Sequence, residues 1–317
     1  MRASLFAISL AALAFAAAPA SAERFTANKI LFQDVTGKVE VTTTAGAEIE
    51  VVIRQGKTHK PVDLMMKDGL VTVKGERWKD DDHHDCCNDR IRREVNLRHD
   101  RTMSDGPPVD DAFFADYPTI VVSMPRKGAA TFVDARMKLT MGDLEGPLDL
   151  DACYVYGETG AVEMASIGVL SGSRLIVGDV GSGLEIDVSG DADVKAGSAA
   201  TVDVDIAGPG DVVLGPIDGM LDVSIAGSGN VRATSLDGPL TARIAGSGDV
   251  SVAAGKADRL KAIIDGSGTV HFRGTAVQPE LKLYGSSEVH VGALQGRLVH
   301  LGSGEVFVAG KKQEKAK

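Results

Sequence analysis

The chain has 317 residues and a formal net charge of −10, from 44 acidic against 34 basic residues. That balance excludes partners held by bulk positive charge, namely nucleic acid and anionic membrane surfaces. Aromatic residues make up only 4% of a sequence with 37 glycines, which favours a narrow aliphatic core with many bends over the core of a globular enzyme.

In chain order, Met1-Arg2, an apolar stretch from Leu5 to Ala18 and the small-residue triplet Ala20-Ser21-Ala22 read as a signal peptide over residues 1–22, with the mature chain starting at Glu23. The apolar stretch is too short for a membrane helix, and no Cys follows it to carry a lipid anchor. No later segment approaches the roughly 18 apolar residues of a span. The expected product is exported, with no membrane span, and is periplasmic or secreted to the cell surface.

Residues 23–75 contain alternating stretches such as Gly37-Lys-Val-Glu-Val41, Ile49-Glu-Val-Val-Ile53 and Leu70-Val-Thr-Val73, which predict irregular N-terminal β-coils. Residues 76–118 break the pattern with charges, prolines and vicinal cysteines, and read as one inserted loop. Within it His83, His84, Cys86 and Cys87 stand among carboxylates, a donor set suited to zinc or copper. Adjacent ligands rarely converge on one ion, however, and no second Cys-x-x-Cys follows. In an oxidising compartment Cys86 or Cys87 could pair with Cys153, or the two could form a vicinal disulfide.

From Thr119 the strand pattern resumes, and residues 119–310 carry a repeat. Ile206-Ala-Gly-Pro-Gly-Asp-Val212, Ile225-Ala-Gly-Ser-Gly-Asn-Val231 and Ile244-Ala-Gly-Ser-Gly-Asp-Val250 are near copies. Ile264-Asp-Gly-Ser-Gly-Thr-Val270, Leu283-Tyr-Gly-Ser-Ser-Glu-Val289 and His300-Leu-Gly-Ser-Gly-Glu-Val306 continue them. The first glycines, Gly208, Gly227, Gly246, Gly266, Gly285 and Gly302, step by 19, 19, 20, 19 and 17 residues. Short alternating strands flank each step, and a second turn follows at Asp218-Gly219, Asp237-Gly238 and Gln295-Gly296.

Two short strands cannot bury an apolar face alone, but coils stacked at about 4.8 Å make columns of aliphatic side chains into a continuous core. The fold class is therefore all-β: a single-stranded parallel β-helix, or β-solenoid, with coils of about 19 residues and one inserted loop. Residues 311–317 read as a disordered basic tail.

Two outward columns are candidate sites. Asp211, Asn230, Asp249, Thr269, Glu288 and Glu305 follow the turn and form either a calcium ladder or a solvated polar edge; Asn230 and Thr269 interrupt the charge and favour the latter. His271 and His290 fall on neighbouring coils and could share a transition metal, although Arg232, Ser251 and Phe307 hold the equivalent positions elsewhere. His300 falls in the inward column, as expected of a capping coil.

The Ile-Ala-Gly-Ser-Gly-Asp-Val repeats, the segment Met124-Pro125-Arg126 and Gly142-Asp-Leu-Glu-Gly-Pro-Leu148 resemble the putative auto-transporter adhesin head GIN domain family. That resemblance implies a β-helical protein of the bacterial envelope. The chain lacks barrel strands after residue 310 and ends in a basic tail, unlike a true auto-transporter. No Gly-x-Ser-x-Gly elbow, phosphate loop or His-Glu-x-x-His helix is present. The expected function is non-catalytic, adhesin-like or scaffolding, with a surface protein or glycan as partner. The alternatives are a periplasmic metal-binding protein using the His83–Cys87 loop and an enzyme acting on polysaccharide.

Overall fold

The computed structural model describes residues 22–57, 61–76, 113–170 and 172–313. All of the expected signal peptide but Ala22, the His83–Cys87 segment and the last residues of the expected tail lie outside them. The described chain is a parallel β-solenoid whose strands form two ladders running side by side along its length.

In the regular part each coil contributes one strand to each ladder. Leu221–Gly227 lies on the first face, the corner Ser228-Gly229 follows, and Asn230–Asp237 lies on the second. The second strand is itself bent, since Asn230–Asp237 pairs with both Asp249–Val252 and Gly255–Ala257. Alternation fixes which residues face inward. Ile206, Ile225, Ile244, Ile264 and Leu283 are in register on the first face. Val212, Val231, Val250, Val270, Val289 and Val306 are in register on the second. All are buried, in one continuous aliphatic core. Between two neighbouring N-terminal coils Phe32 and Phe132 stack in that core with centroids 4.5 Å apart.

The corner requires glycine for a steric reason. Gly246 has φ +136°, and a Cβ there would lie 2.2 Å from the carbonyl oxygen of Gly227 in the coil below. The same approach lets the Ser247 amide donate to that oxygen at 2.9 Å, so backbone bonds continue around the bend. At the opposite turn aspartates do a related job: Asp143, Asp179 and Asp237 accept from the backbone N–H of Ala161, Ser198 and Lys256 in the next coil.

Irregular steps are absorbed outside the strands. Leu236 pairs with Gly255 but Leu240 with Leu260, so the extra residue of the 20-residue step sits in the turn before Leu260. In the last coil the strand keeps its 19-residue register, with Leu281 opposite His300 and Leu283 opposite Gly302. The last Gly-Ser-Gly is therefore not the structural equivalent of the others. Gly302 occupies the core column, and the corner after it is two residues shorter.

The N-terminal coils are stacked out of chain order. Lys29–Gln33 lies between Leu70–Lys74 and Ala129–Met141 on the first face. Thr36–Thr44 lies between Thr119–Pro125 and Ala129–Met141 on the second. Leu70–Lys74 and Thr119–Pro125 are thus the two strands of the outermost parallel coil. Antiparallel strands cover that end: Asp63–Lys67 on Leu70–Lys74, and Ile49–Arg54 on Thr119–Pro125. At the other end Lys311–Lys312 pairs antiparallel with Glu305–Val308.

Replacing Gly246 with Ala should cost about 2 kcal/mol or more, because both φ and the approach to Gly227 forbid a side chain. Ser228→Ala, at an exposed position of the same corner, should stay within about 0.5 kcal/mol. Urea denaturation of the two variants measures both; equal effects would contradict the steric account of the corner.

Candidate interaction surface

The first face carries the largest concentration of charge. Residues 142–231 hold 16 acidic and two basic residues, whereas residues 232–317 hold 12 basic and eight acidic ones. Alternation sends many of these outward on the first face. Asp149, Ser166, Glu185, Asp203, Asp222, Thr241, Lys261, Glu280 and Val299 form one outward column. Asp151, Gly168, Asp187, Asp205, Ser224, Arg243, Ile263, Lys282 and Leu301 form the next. One half of the face is thus acidic and the other is basic and apolar.

Stacking like charges has a measurable consequence. The Asp203 carboxyl is held above the usual aspartate range, first by burial and then by the charges of Asp205, Asp222, Glu185 and Asp187. Arg243 reaches back to Asp222 at 2.5 Å, at the junction of the two halves. Glu185, Asp203 and Asp205 have no ion pair among the described residues. Tyr284, Val299 and Leu301, 49%, 39% and 52% exposed, crowd the far end beside Lys282.

On the second face the sequence-derived columns are in register. Each acid of the polar edge has a partner nearby. Asp211 accepts from Asn230 Nδ2 at 2.7 Å and lies 3.6 Å from Arg232. Asp249 accepts from the Thr269 amide, and Lys312 pairs with Glu305. The edge is thus bonded to itself along the stack.

His271 and His290 stack with centroids 4.5 Å apart, and His290 stacks on Phe307 at the same distance. His290 Nε2 lies 2.8 Å from Glu288 Oε2. The His271 ring titrates below the usual histidine value because it is part-buried and faces His290, with Arg273 adding to the effect. Asp249 and Glu288 act against that shift.

Among the described residues no group of three or more His, Cys, Asp or Glu is arranged to hold a metal ion. His83, His84, Cys86 and Cys87 lie outside those residues. Cys153, 6% exposed in the strand Leu144–Thr159, is disulfide-bonded. The sequence has two other cysteines, Cys86 and Cys87.

Reasoning outward from the Gly-Ser-Gly turn passes over the acidic face, because its residues precede the turn. Its signal is nevertheless in the sequence: Leu148-Asp-Leu-Asp151, Leu184-Glu-Ile-Asp187 and Val202-Asp-Val-Asp205 repeat acid at every outward position.

A stacked parallel solenoid of this kind belongs to the class of β-helical proteins. The family model of the putative auto-transporter adhesin, head GIN domain, matches the chain twice, over residues 159–276 and 220–311. Residues 159–311 belong to that family. No curated protein is matched by sequence. Among solved structures, a putative adhesin from Parabacteroides distasonis is 13% identical, with 91% of this chain and 96% of that chain covered and a TM-score of 0.44. A putative lipid binding protein from the same organism is 14% identical over the same shares, with a TM-score of 0.30. A putative cell adhesion protein from Clostridium sporogenes is 9% identical over 91% and 98%, with a TM-score of 0.16. No helix among the described residues is long and apolar enough to cross a membrane.

Two pH effects follow. Because the Asp203 pKa is raised by folding, its penalty is full above the folded value and fades as pH falls towards the ordinary aspartate range. Asp203→Asn should therefore raise Tm at pH 7 and lose that advantage by about pH 4; part of the gain should survive 1 M NaCl, since burial is the larger cause.

His271 has the opposite sign of dependence. Its lowered pKa means stability is complete above the unfolded value near 6.5 and is lost as pH falls through the folded value. His271→Phe should keep the ring stack and flatten the decline in Tm between about pH 7 and pH 5. A decline as steep as in the wild type would contradict this assignment.

Proposed function

We propose that the protein is an exported, non-catalytic, adhesin-like solenoid of the cell envelope, and that its first face is the surface that makes contact. The observation that carries the reading is the alignment of Asp149, Asp151, Glu185, Asp187, Asp203, Asp205 and Asp222 in two parallel columns. Carboxylates that work in catalysis are opposed across a bond or converge on a reacting atom. Here they stand side by side at the coil spacing on one flat sheet, an arrangement suited to recognising an extended surface. The match to an adhesin head domain supports the same reading.

The separate proposal that His83, His84, Cys86 and Cys87 bind zinc or copper keeps its basis in the sequence. The disulfide at Cys153 leaves fewer thiols for it.

The test is attachment of the purified mature chain to arrayed glycans and to protein-coated surfaces. The variant Glu185→Gln/Asp203→Asn/Asp205→Asn should be retained at least tenfold less than the wild type, with an unchanged circular dichroism spectrum. Equal retention, or turnover of any arrayed polysaccharide, would overturn the proposal.

A further inference from the structure

The first face is complementary to itself. Its acidic half spans the strands Leu144–Thr159, Val162–Val169, Val180–Ser189, Ala199–Gly208 and Leu221–Gly227. Its basic and apolar half spans Leu240–Gly246, Leu260–Gly266, Glu280–Gly285 and Val299–Gly302. We propose that the partner of this face is a second copy of the same chain, docked face to face with the solenoid axis reversed. The proposal rests on the reading of this face as the contact surface.

Two two-fold axes could bring the faces together. An axis along the solenoid would set acid on acid and is excluded by repulsion. An axis along the strand direction, between Leu221–Gly227 and Leu240–Gly246, reverses the coil order and leaves each column facing itself. Ser224 then meets Arg243 of the other copy, and Asp203 meets its Lys261. Asp205 meets its Ile263, and Asp187 meets its Lys282. One coil further, Ser166 and Gly168 meet Val299 and Leu301, so the smallest outward residues of the acidic half receive the exposed apolar end. Glu185 meets Glu280, and the latter already has Lys282 3.4 Å away.

The area is adequate. Eight coils at about 4.8 Å, each presenting a strand about 20 Å long, give about 800 Å² per copy, the size of a stable protein–protein contact. Charges placed this way set orientation and encounter rate, while Ile263, Tyr284, Val299 and Leu301 supply apolar burial.

Sedimentation equilibrium of the mature chain should show a dimer in about 50 mM NaCl, weakened at least tenfold in about 1 M NaCl, where the screening length is about 3 Å. Lys261→Glu/Lys282→Glu and Asp187→Lys/Asp203→Lys should each be monomeric with wild-type circular dichroism spectra. Mixed together, the two variants should form a heterodimer, because the reversed charges of one copy then face the reversed charges of the other at the 203–261 and 187–282 contacts. A monomeric wild type at low salt, or a dimer that either variant leaves intact, would overturn the inference.

The attachment assay separates this outcome from the functional reading. A monomer that still attaches through the acidic face sinks the second copy as partner and keeps the adhesin-like function. A dimer whose face variants attach as well as the wild type sinks the function and keeps the dimer.

Discussion

Each coil must sit on the one below it at backbone hydrogen-bonding distance through the bends as well as along the strands. At the Gly-Ser-Gly corner this distance leaves no room for a side chain: the atoms of Gly227 and Gly246 are as close as two paired strands, although neither segment is straight. If the corner were looser, strands on the two faces would slip relative to one another, and a slip of one residue would turn the core outward. The glycine corner is thus what locks the Ile and Val columns into a common register. It acts through backbone geometry, which explains why the exposed Ser between the glycines varies, with Pro209 taking its place in one coil.

A fixed register has a cost at the surface. Whatever residue type recurs at an outward position is stacked on itself every 4.8 Å or so, close enough for like charges to interact strongly. The middle of the second face relieves this by alternation, with Asn230 between Asp211 and Asp249 and Thr269 between Asp249 and Glu288. The first face does not, and Glu185, Asp203 and Asp222 stand in sequence with Arg243 meeting only the last of them. A surface that keeps such repulsion when an Asn or Thr would remove it is better explained by a partner than by the stability of the fold.

The fold was legible because the repeat states its own geometry. The spacing of Gly208, Gly227, Gly246 and Gly266 predicts the coil length, and the flanking alternation predicts the inward columns that the register shows. Less legible was anything that depends on which coil touches which. The out-of-order stacking of Leu70–Lys74 and Thr119–Pro125 leaves no periodic trace, since these strands pair with Lys29–Gln33 and Thr36–Thr44 across long sequence separations. Gly302 misleads for a related reason: it repeats the Gly-Ser-Gly motif, but strand pairing places it opposite Leu283, because the last coil has no successor for an Ile at that position to pack against. The acidic face is a third case. Its residues are plain in the sequence as alternating acids, but their summed field appears only when five coils are stacked.

The two ends of the solenoid show how a stack that could grow indefinitely is made finite. At the N-terminal end Asp63–Lys67 and Ile49–Arg54 run antiparallel to the outermost parallel coil, so another parallel coil has no matching edge to join. At the C-terminal end Lys311–Lys312 closes the second ladder the same way, while on the first ladder Val299–Gly302 has no strand beyond it among the described residues. That strand keeps the parallel register of its neighbours but replaces the core pair Leu281 and Leu283 with His300 and Gly302, so its outer edge offers a poor template for a further coil. Growth along the axis is thereby discouraged at both ends. The pairing proposed above uses the flat first face instead, where the charge reverses sign between Asp222 and Arg243, and a reversal of that kind would limit such an assembly to a pair.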